Sequence, residues 1–289
     1  MPSLKEIKAR IASVKTTRKI TAAMKMVSAA KLNRAQKNIA GMRPYSKALH
    51  HILDCLLTDN SELDPSLTVQ RPPERIAIIA FSSDSSLAGS FNANVIKEMR
   101  KTLKTYHNLP KTHIYIYTIG KKITDATAKT GYHITRNFNG LPAKPDYQTM
   151  ASLADNLITQ FRAKTIDRVE VIYHHFKSAG SQILTHENFL PLPLNNPDDN
   201  VGNNTTADYI FEPSAPDVLA ELLPKVLKLK LYTILLDACA SEHAARVIAM
   251  QMATDNADQL AGELTIEYNK SRQQAITNEI LDIIGGSLK

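Results

Sequence analysis

Hydrophobic positions recur at helical spacing over the first fifty-odd residues. Ser3 and Glu6 form an S-x-x-E capping box, so a helix is predicted to begin almost at the N-terminus. Leu4, Ile7, Ile11 and Val14 follow, and the stripe resumes at Ile20, Met24 and Val27, then at Leu32, Ala35, Ile39 and Met42. Its phase slips twice, so this is not a strict heptad, and a stripe that drifts this way is predicted to wind around its partner less tightly than a standard left-handed coil. Gly41 and Pro44 are expected to bend it, and the pattern continues through Leu49, Ile52, Leu53 and Leu56. Asn60 to Pro73 is polar and proline-bearing and reads as a connection.

The period then changes. Ile76–Phe81 is an unbroken apolar run ahead of Ser82–Ser86, the pattern of a buried strand and a turn. Further strands are predicted at His113–Thr118, His133–Phe138 and Val169–Phe176, with an edge-like strand at Gln182–Leu190. Helices are predicted at Phe91–Leu103, Lys121–Thr130 and Tyr147–Phe161. Strands alternating with helices argue for an α/β domain with a mostly parallel sheet. Asn195 to Thr206, rich in Asn, Asp and Gly, reads as a loop.

The rest of the chain predicts one very long helix. Ser214 and Asp217 resemble a second capping box, with Pro216 in the first turn. Pro224 should kink or divide the helix, and Gly285–Gly286 should stop it. Sixty residues of helix span roughly 90 Å, three times the width of a small domain. A membrane span does not fit, because Lys230 and Asp237 interrupt the richest apolar run, Leu229–Ala240. The remaining reading is a coiled coil, made with the first helix and projecting from the α/β domain into a partner. The expected domains are therefore residues 1–60, a helix of the coil; 74–195, the α/β domain; and 208–289, the second helix of the coil.

Charge supports the pairing. Residues 1–53 hold twelve Lys or Arg against one acid, Glu6, a net +11 that leaves −4 for the rest of a chain of net +7. Residues 240–289 carry seven acids against four bases. The two ends attract, as flanking charges do in a coiled coil. A basic helix could alternatively bind nucleic acid or anionic lipid. The two cysteines, Cys55 and Cys239, have no metal or redox spacing and read as buried reduced thiols. No apolar signal segment precedes the first helix, so a cytoplasmic chain is expected.

The α/β domain invites an enzyme reading, and the motifs for one are missing. The loop Asp84-Ser85-Ser86-Leu87-Ala88-Gly89 has one glycine where a dinucleotide fingerprint needs three, and Gly120–Lys121 lacks the upstream glycine of a phosphate loop. His174–His175 alternate faces on a strand, and His186, Glu187 and His243 look isolated. Catalytic, cofactor-binding and metal sites are not expected. Asp84 is the best single candidate for a site, although the reading as a turn residue capping a helix is favoured over it. Thr254, Asp255, Asn256, Gln273, Thr277 and Asn278 are unusual on a helix expected to bury itself. They suit either a solvated face or a surface that touches a partner without locking to it.

Three stretches together resemble the γ-subunit family of the F-type ATP synthase. They are Leu4–Lys8 running on to Lys19–Ala29, Ser241–Arg246 with Met252–Ala257, and Tyr268–Gln273 with Ala275–Ile280. Asp282 and Gly286 also match, with Ser287 where alanine is usual. The resemblance implies an antiparallel coiled coil of the terminal helices and a Rossmann-like domain at its foot. It implies a non-catalytic bacterial rotor, with the α and β subunits of the catalytic hexamer, the ε subunit and the c-subunit ring as partners and no cofactor. Its place would be the cytoplasmic face of the inner membrane, peripherally attached. Carried over residue by residue, it points to Met24, Lys25, Arg246, Asp255, Asn256, Gln273, Thr277 and Glu279 as the interface with the hexamer. The family usually has Arg or Lys, then Gly-Leu-Cys-Gly, after the aspartate matched by Asp84. This chain departs there, and it lacks the cysteine-bearing insertion of the chloroplast form. Two other classes stay open on the residues alone: an α/β enzyme with a helical oligomerisation arm, and a coiled-coil scaffold that binds nucleic acid.

Overall fold

The computed structural model describes residues 3–59, 65–192, 212 and 214–287. They divide into two compact units, Lys31–Ala245 and the pair of segments Met1–Ala30 and Arg246–Lys289. The boundary falls inside the two long helices, α1 (Leu4–Asp59) and α6 (Ala215–Ser287).

The larger unit is built on five strands, β1 (Ile76–Phe81), β2 (Ile114–Ile119), β3 (Ile134–Phe138), β4 (Arg168–Ser178) and β5 (Ser181–Leu190). They lie in the order β3-β2-β1-β4-β5. β1 is central, with Ile76 opposite Ile114 on one side and Arg168 on the other, both parallel. β3 is parallel to β2, and β5, expected as an edge strand, pairs antiparallel with β4. All of β1 is buried because helices cover both faces of the sheet. α3 (Phe91–Thr105) and α4 (Lys121–Ala128) close over Ile76, Ile78 and Ala80. α5 (Tyr147–Arg162) lies with part of α6 over Ala77, Ile79 and Phe81. This is the doubly wound, Rossmann-like arrangement, with its strand order reversing between β1 and β4.

Two expectations change. The connection after α1 holds a helical turn, α2 (Pro65–Thr68), whose Leu67 is fully buried in the core and accepts a backbone bond from Leu192. More consequentially, the first third of α6 does not stand clear of the sheet. Leu219, Leu223, Leu227, Leu231, Leu235 and Cys239 belong to the core over β1, β2 and β4. The same helix presents Leu236, Ala240 and Ala244 to Leu32, Ala35 and Ile39 of α1, and Val226 and Leu229 to Leu49. Residues 226–244 are covered from two sides, which is why the run carries apolar residues on more than one face. Rising numbers on α1 meet falling numbers on α6, so the pair is antiparallel. α1 and α6 run unbroken through Pro44 and Pro224. Pro224 withholds one backbone donor, but buried Leu223 and Val226 beside it hold the chain helical. Gly285–Gly286 does not stop α6 within the described residues. Both capping boxes form: the Ser3 amide donates to Glu6 at 2.8 Å, and Ser214 donates to Asp217 at 2.6 Å. Cys239 is a buried free thiol, its pKa pushed up by burial; the Cys55 side chain and the predicted loop at Asn195–Thr206 lie outside what is described.

His186 is not isolated. Its Nε2 is 2.9 Å from buried Glu170 and its Nδ1 3.6 Å from Glu98 of α3; Tyr106 also donates to Glu170, and Arg168 lies 3.7 Å away. This network ties edge strand β5 to β4 and α3. The hydrogen bond to Glu170 raises the His186 pKa against the opposing effect of burial. Burial pushes the Glu170 carboxyl up, but the bonds from His186 and Tyr106 outweigh it and the net shift is downward.

A pH dependence follows. His186 has a folded pKa above its ordinary 6.5, so its contribution is complete below that value and is lost as pH rises through the folded pKa. Glu170 contributes above its ordinary 4.5 and loses that contribution as pH falls through its depressed folded pKa. His186→Gln should cost about 1 kcal/mol near pH 6, discounted for partial exposure, and progressively less toward pH 8.5. Denaturant titrations of both proteins across that range check it; a penalty that does not vary with pH would refute the account.

Candidate functional site

Among the described residues, the smaller unit consists of parts of the two long helices and Ser3 before them. From Leu4 the three- and four-residue steps run through Ile7, Ile11 and Val14 to Thr21 and Ser28, with Arg18 and Lys25 at the intervening positions. The expected phase slips do not occur. Thr21 and Ser28 are 8% and 4% exposed, whereas the apolar Ile20, Met26 and Val27 are 54%, 68% and 57% exposed. The spacing of the seam is regular and its composition changes. Opposite it, α6 buries Met250, Ala257 and Leu264 at seven-residue intervals, with Thr254 and Ala261 half-buried between them.

Small polar groups hold the seam where apolar ones leave it. The Thr21 and Thr254 hydroxyls lie 2.8 Å apart across the helices, and each is also within hydrogen-bond reach of a carbonyl of its own helix, Arg18 and Met250; with two hydrogens for three contacts, one hydroxyl donates across the seam while the other donates to its own helix. Thr254 is therefore a seam residue and not part of an outer face. Arg18 pairs with Asp258 at the exposed flank. Three residues forward on α1 match four back on α6, again antiparallel. A half-exposed ion pair of this kind is worth below about 1 kcal/mol, so charge attraction is not the main cohesion here.

The residues singled out by sequence fall into three groups. Met24 and Lys25 are half-buried beside the seam. Arg246 is buried, at 7% exposure. Asp255, Asn256, Gln273, Thr277 and Glu279 are exposed on α6. Asp255 accepts from Gln251 at 2.7 Å, and the Thr277 hydroxyl donates back to the Gln273 carbonyl at 2.9 Å. Sequence reasoning missed the outward apolar residues that accompany them. Ile20, Met26, Val27, Met252 and Ile266 are all more than half exposed. From Ile276 to Ile284 every α6 side chain is exposed, and five are Ile or Leu: Ile276, Ile280, Leu281, Ile283 and Ile284, at 48–71%. Apolar exposure on this scale marks a surface that another molecule covers. The signal was present in the sequence as apolar residues out of phase with the heptad.

At the sheet, Asp84 takes the helix-capping role. Its Oδ1 accepts from the amide of Lys121, the first residue of α4, at 3.0 Å and from Gly140 at 3.1 Å. It thereby ties the loop after β1 to those after β2 and β3. Next to the reversal of strand order, where such folds open a ligand crevice, the Phe91 ring at the start of α3 stacks on buried His174 at 4.5 Å. Burial lowers the His174 pKa to about 4, so the ring is neutral at physiological pH. His175, on the other face, pairs with Asp237 at 2.6 Å. Among the described residues, no group of three or more His, Cys, Asp or Glu could hold a metal, and no helix is long and apolar enough to cross a membrane.

Comparison with known proteins agrees with this architecture. A family model described as ATP synthase matches residues 3–288. The ATP synthase gamma chain of Phocaeicola vulgatus is 49% identical over all of both chains, and that of Bacteroides fragilis 51% over the same extent. Among solved structures, the rotor of the Euglena gracilis mitochondrial ATP synthase superposes with a TM-score of 0.65 at 19% identity. That match covers 94% of this chain and 98% of the other, and at this identity it speaks for the fold.

Two stability measurements check these assignments. Asp84→Ala should cost about 1–2 kcal/mol by leaving two loop amides without their acceptor. In the seam, Thr21→Val or Thr254→Val alone should cost about 1 kcal/mol, and the double variant less than the sum. Strict additivity would mean that the two hydroxyls do not interact.

Proposed function

The chain belongs to the ATP synthase γ-chain family, and on that premise we propose that it is the turning shaft of the central stalk. In this reading the helices within 1–60 and 208–289 enter the ring of α and β subunits. The sheet domain, 74–195, forms the foot beside the ε subunit and the membrane ring of c subunits. The chain is a peripheral component of the complex at the cytoplasmic face of the bacterial inner membrane. It carries out no chemistry itself; the catalytic sites belong to the β subunits.

One observation carries the reading. The paired helices keep a regular seam with small polar residues inside and turn isoleucine, leucine and methionine outward. A two-helix unit with that surface is built to be surrounded. Short polar groups among the apolar ones at the end of α6, Thr277 and Asn278, give contact without directional locking, as a turning element requires.

Coupling then rests on inequivalent sides. A shaft equally attractive to all β conformations at every angle would change nothing, because only a difference in affinity shifts an equilibrium. Here α1 is strongly basic and α6 carries an acidic excess between Asp255 and Glu267, so the two helices of the pair present different charge. We assign Asp255, Asn256, Gln273, Thr277 and Glu279 to direct contact with the hexamer. Met24 and Lys25 flank the seam at the same surface. Buried Arg246 supports the contact face from within.

Reconstitution of purified α and β subunits with and without this chain tests the reading. Added chain should raise steady-state ATP hydrolysis severalfold, and no stimulation would remove the proposal. In the membrane-bound complex, Met24→Lys and Gln273→Glu should lower ion transport per ATP hydrolysed. Unchanged ratios would withdraw those positions without touching the shaft itself.

A further inference from the structure

α6 buries polar side chains where its surroundings are apolar. Asp237 and Ser241 lie within the stretch that packs on the sheet and on α1, at 8% and 0% exposure. Both reach β4. Asp237 Oδ2 is 2.6 Å from His175 Nδ1, and the Ser241 hydroxyl donates to the His174 carbonyl at 3.0 Å. Phe176, the next residue of β4, packs on the cluster that joins α1 to α6. This part of β4 outruns its parallel neighbour. Pairing with β1 ends at Ala80–Ile172, while pairing with β5 continues to Ser178–Ser181. Beyond the parallel sheet, β4 and β5 form a two-stranded ribbon, and it is the ribbon that takes hold of α6.

Apolar burial attracts without direction, so a leucine face on a sheet resists separation better than sliding or rolling. Hydrogen bonds are directional. Two polar groups one helical turn apart, bonded to consecutive residues of one strand, admit a single rotation and a single height of the helix. Buried polar groups seldom repay their desolvation as stability, and their best-attested use is to fix register. We infer that the β4–β5 ribbon is a register lock. His174, His175 and Phe176 hold α6, through Asp237 and Ser241, at one azimuth and one height on the sheet. For the shaft proposed above, on which the coupling part of this inference rests, they are positioning residues, because a helix free to roll on its foot would dissipate rotation.

The test uses the full chain with Asp237→Leu and Ser241→Ala combined, which keeps the burial and removes the direction. In the isolated chain, with Cys55→Ser, nitroxides at Asn137→Cys on β3 and Lys225→Cys on α6 report the distance between helix and sheet by pulsed electron resonance. The double variant should retain its melting temperature while its distance distribution broadens about twofold. In the assembled membrane complex, ion transport per ATP hydrolysed should fall by about twofold or more while hydrolysis persists. An unchanged distance distribution overturns the lock. Transport and hydrolysis falling in proportion overturns its role in coupling. Should the double variant not fold, Ser241→Ala alone carries both arms. Failure of the wild-type chain to stimulate ATP hydrolysis would dispose of the shaft reading only, and the distance measurement would still decide the lock.

Discussion

Within the larger unit, everything depends on covering α6. Between Val226 and Ala244 the helix turns apolar residues both to the sheet and to α1, and a helix of that kind is stable in water only if both sides are covered. The sheet supplies one cover through β1, β2 and β4, and α1 supplies the other. Each fully buried leucine contributes about 1.5–3 kcal/mol, so α6 is as much a core element of the α/β domain as β1 is. That double duty joins this part of the helix pair and the sheet in one compact unit from Lys31 to Ala245.

Burial on this scale leaves direction unspecified, and the chain supplies it with a few polar groups. Asp237 and Ser241 meet the ribbon of β4 and β5. Asp84 ties three loops at the carboxyl ends of the parallel strands. Glu170, with His186, Tyr106 and Arg168, fastens the antiparallel edge strand to its neighbours. In each case a single carboxylate or hydroxyl gathers groups from elements far apart in sequence. Residues of this kind look isolated when only their sequence neighbours are considered, which is why His186 carried no signal, whereas the capping role favoured for Asp84 is the one it takes.

In the smaller unit the balance is reversed. The seam holds threonine, serine and alanine at several steps, and large apolar side chains face outward. Such a pair of helices is weakly held by its own contacts and well suited to contacts with something else. The same property misleads a reading based on hydrophobic periodicity. A trace through Ile20, Met24 and Val27 leaves the seam for exposed residues at Ile20 and Val27 and mistakes the departure for a drifting seam.

By itself the sequence determined the elements: capping boxes placed both long helices, and unbroken or alternating apolar runs placed the strands to within a residue or two, because local propensity and hydrophobic period act over a few residues. It also determined the family, because the matching stretches are long and in order. Tertiary structure alone decided the phase of the seam, since the buried side of a two-helix pair is defined by the partner and not by which residues are apolar. It decided too that α6 closes the core of the sheet, and that Thr254 and Arg246 turn inward while Asp255, Asn256 and Gln273 turn out. Those outcomes depend on contacts between residues two hundred positions apart, and no local pattern encodes them.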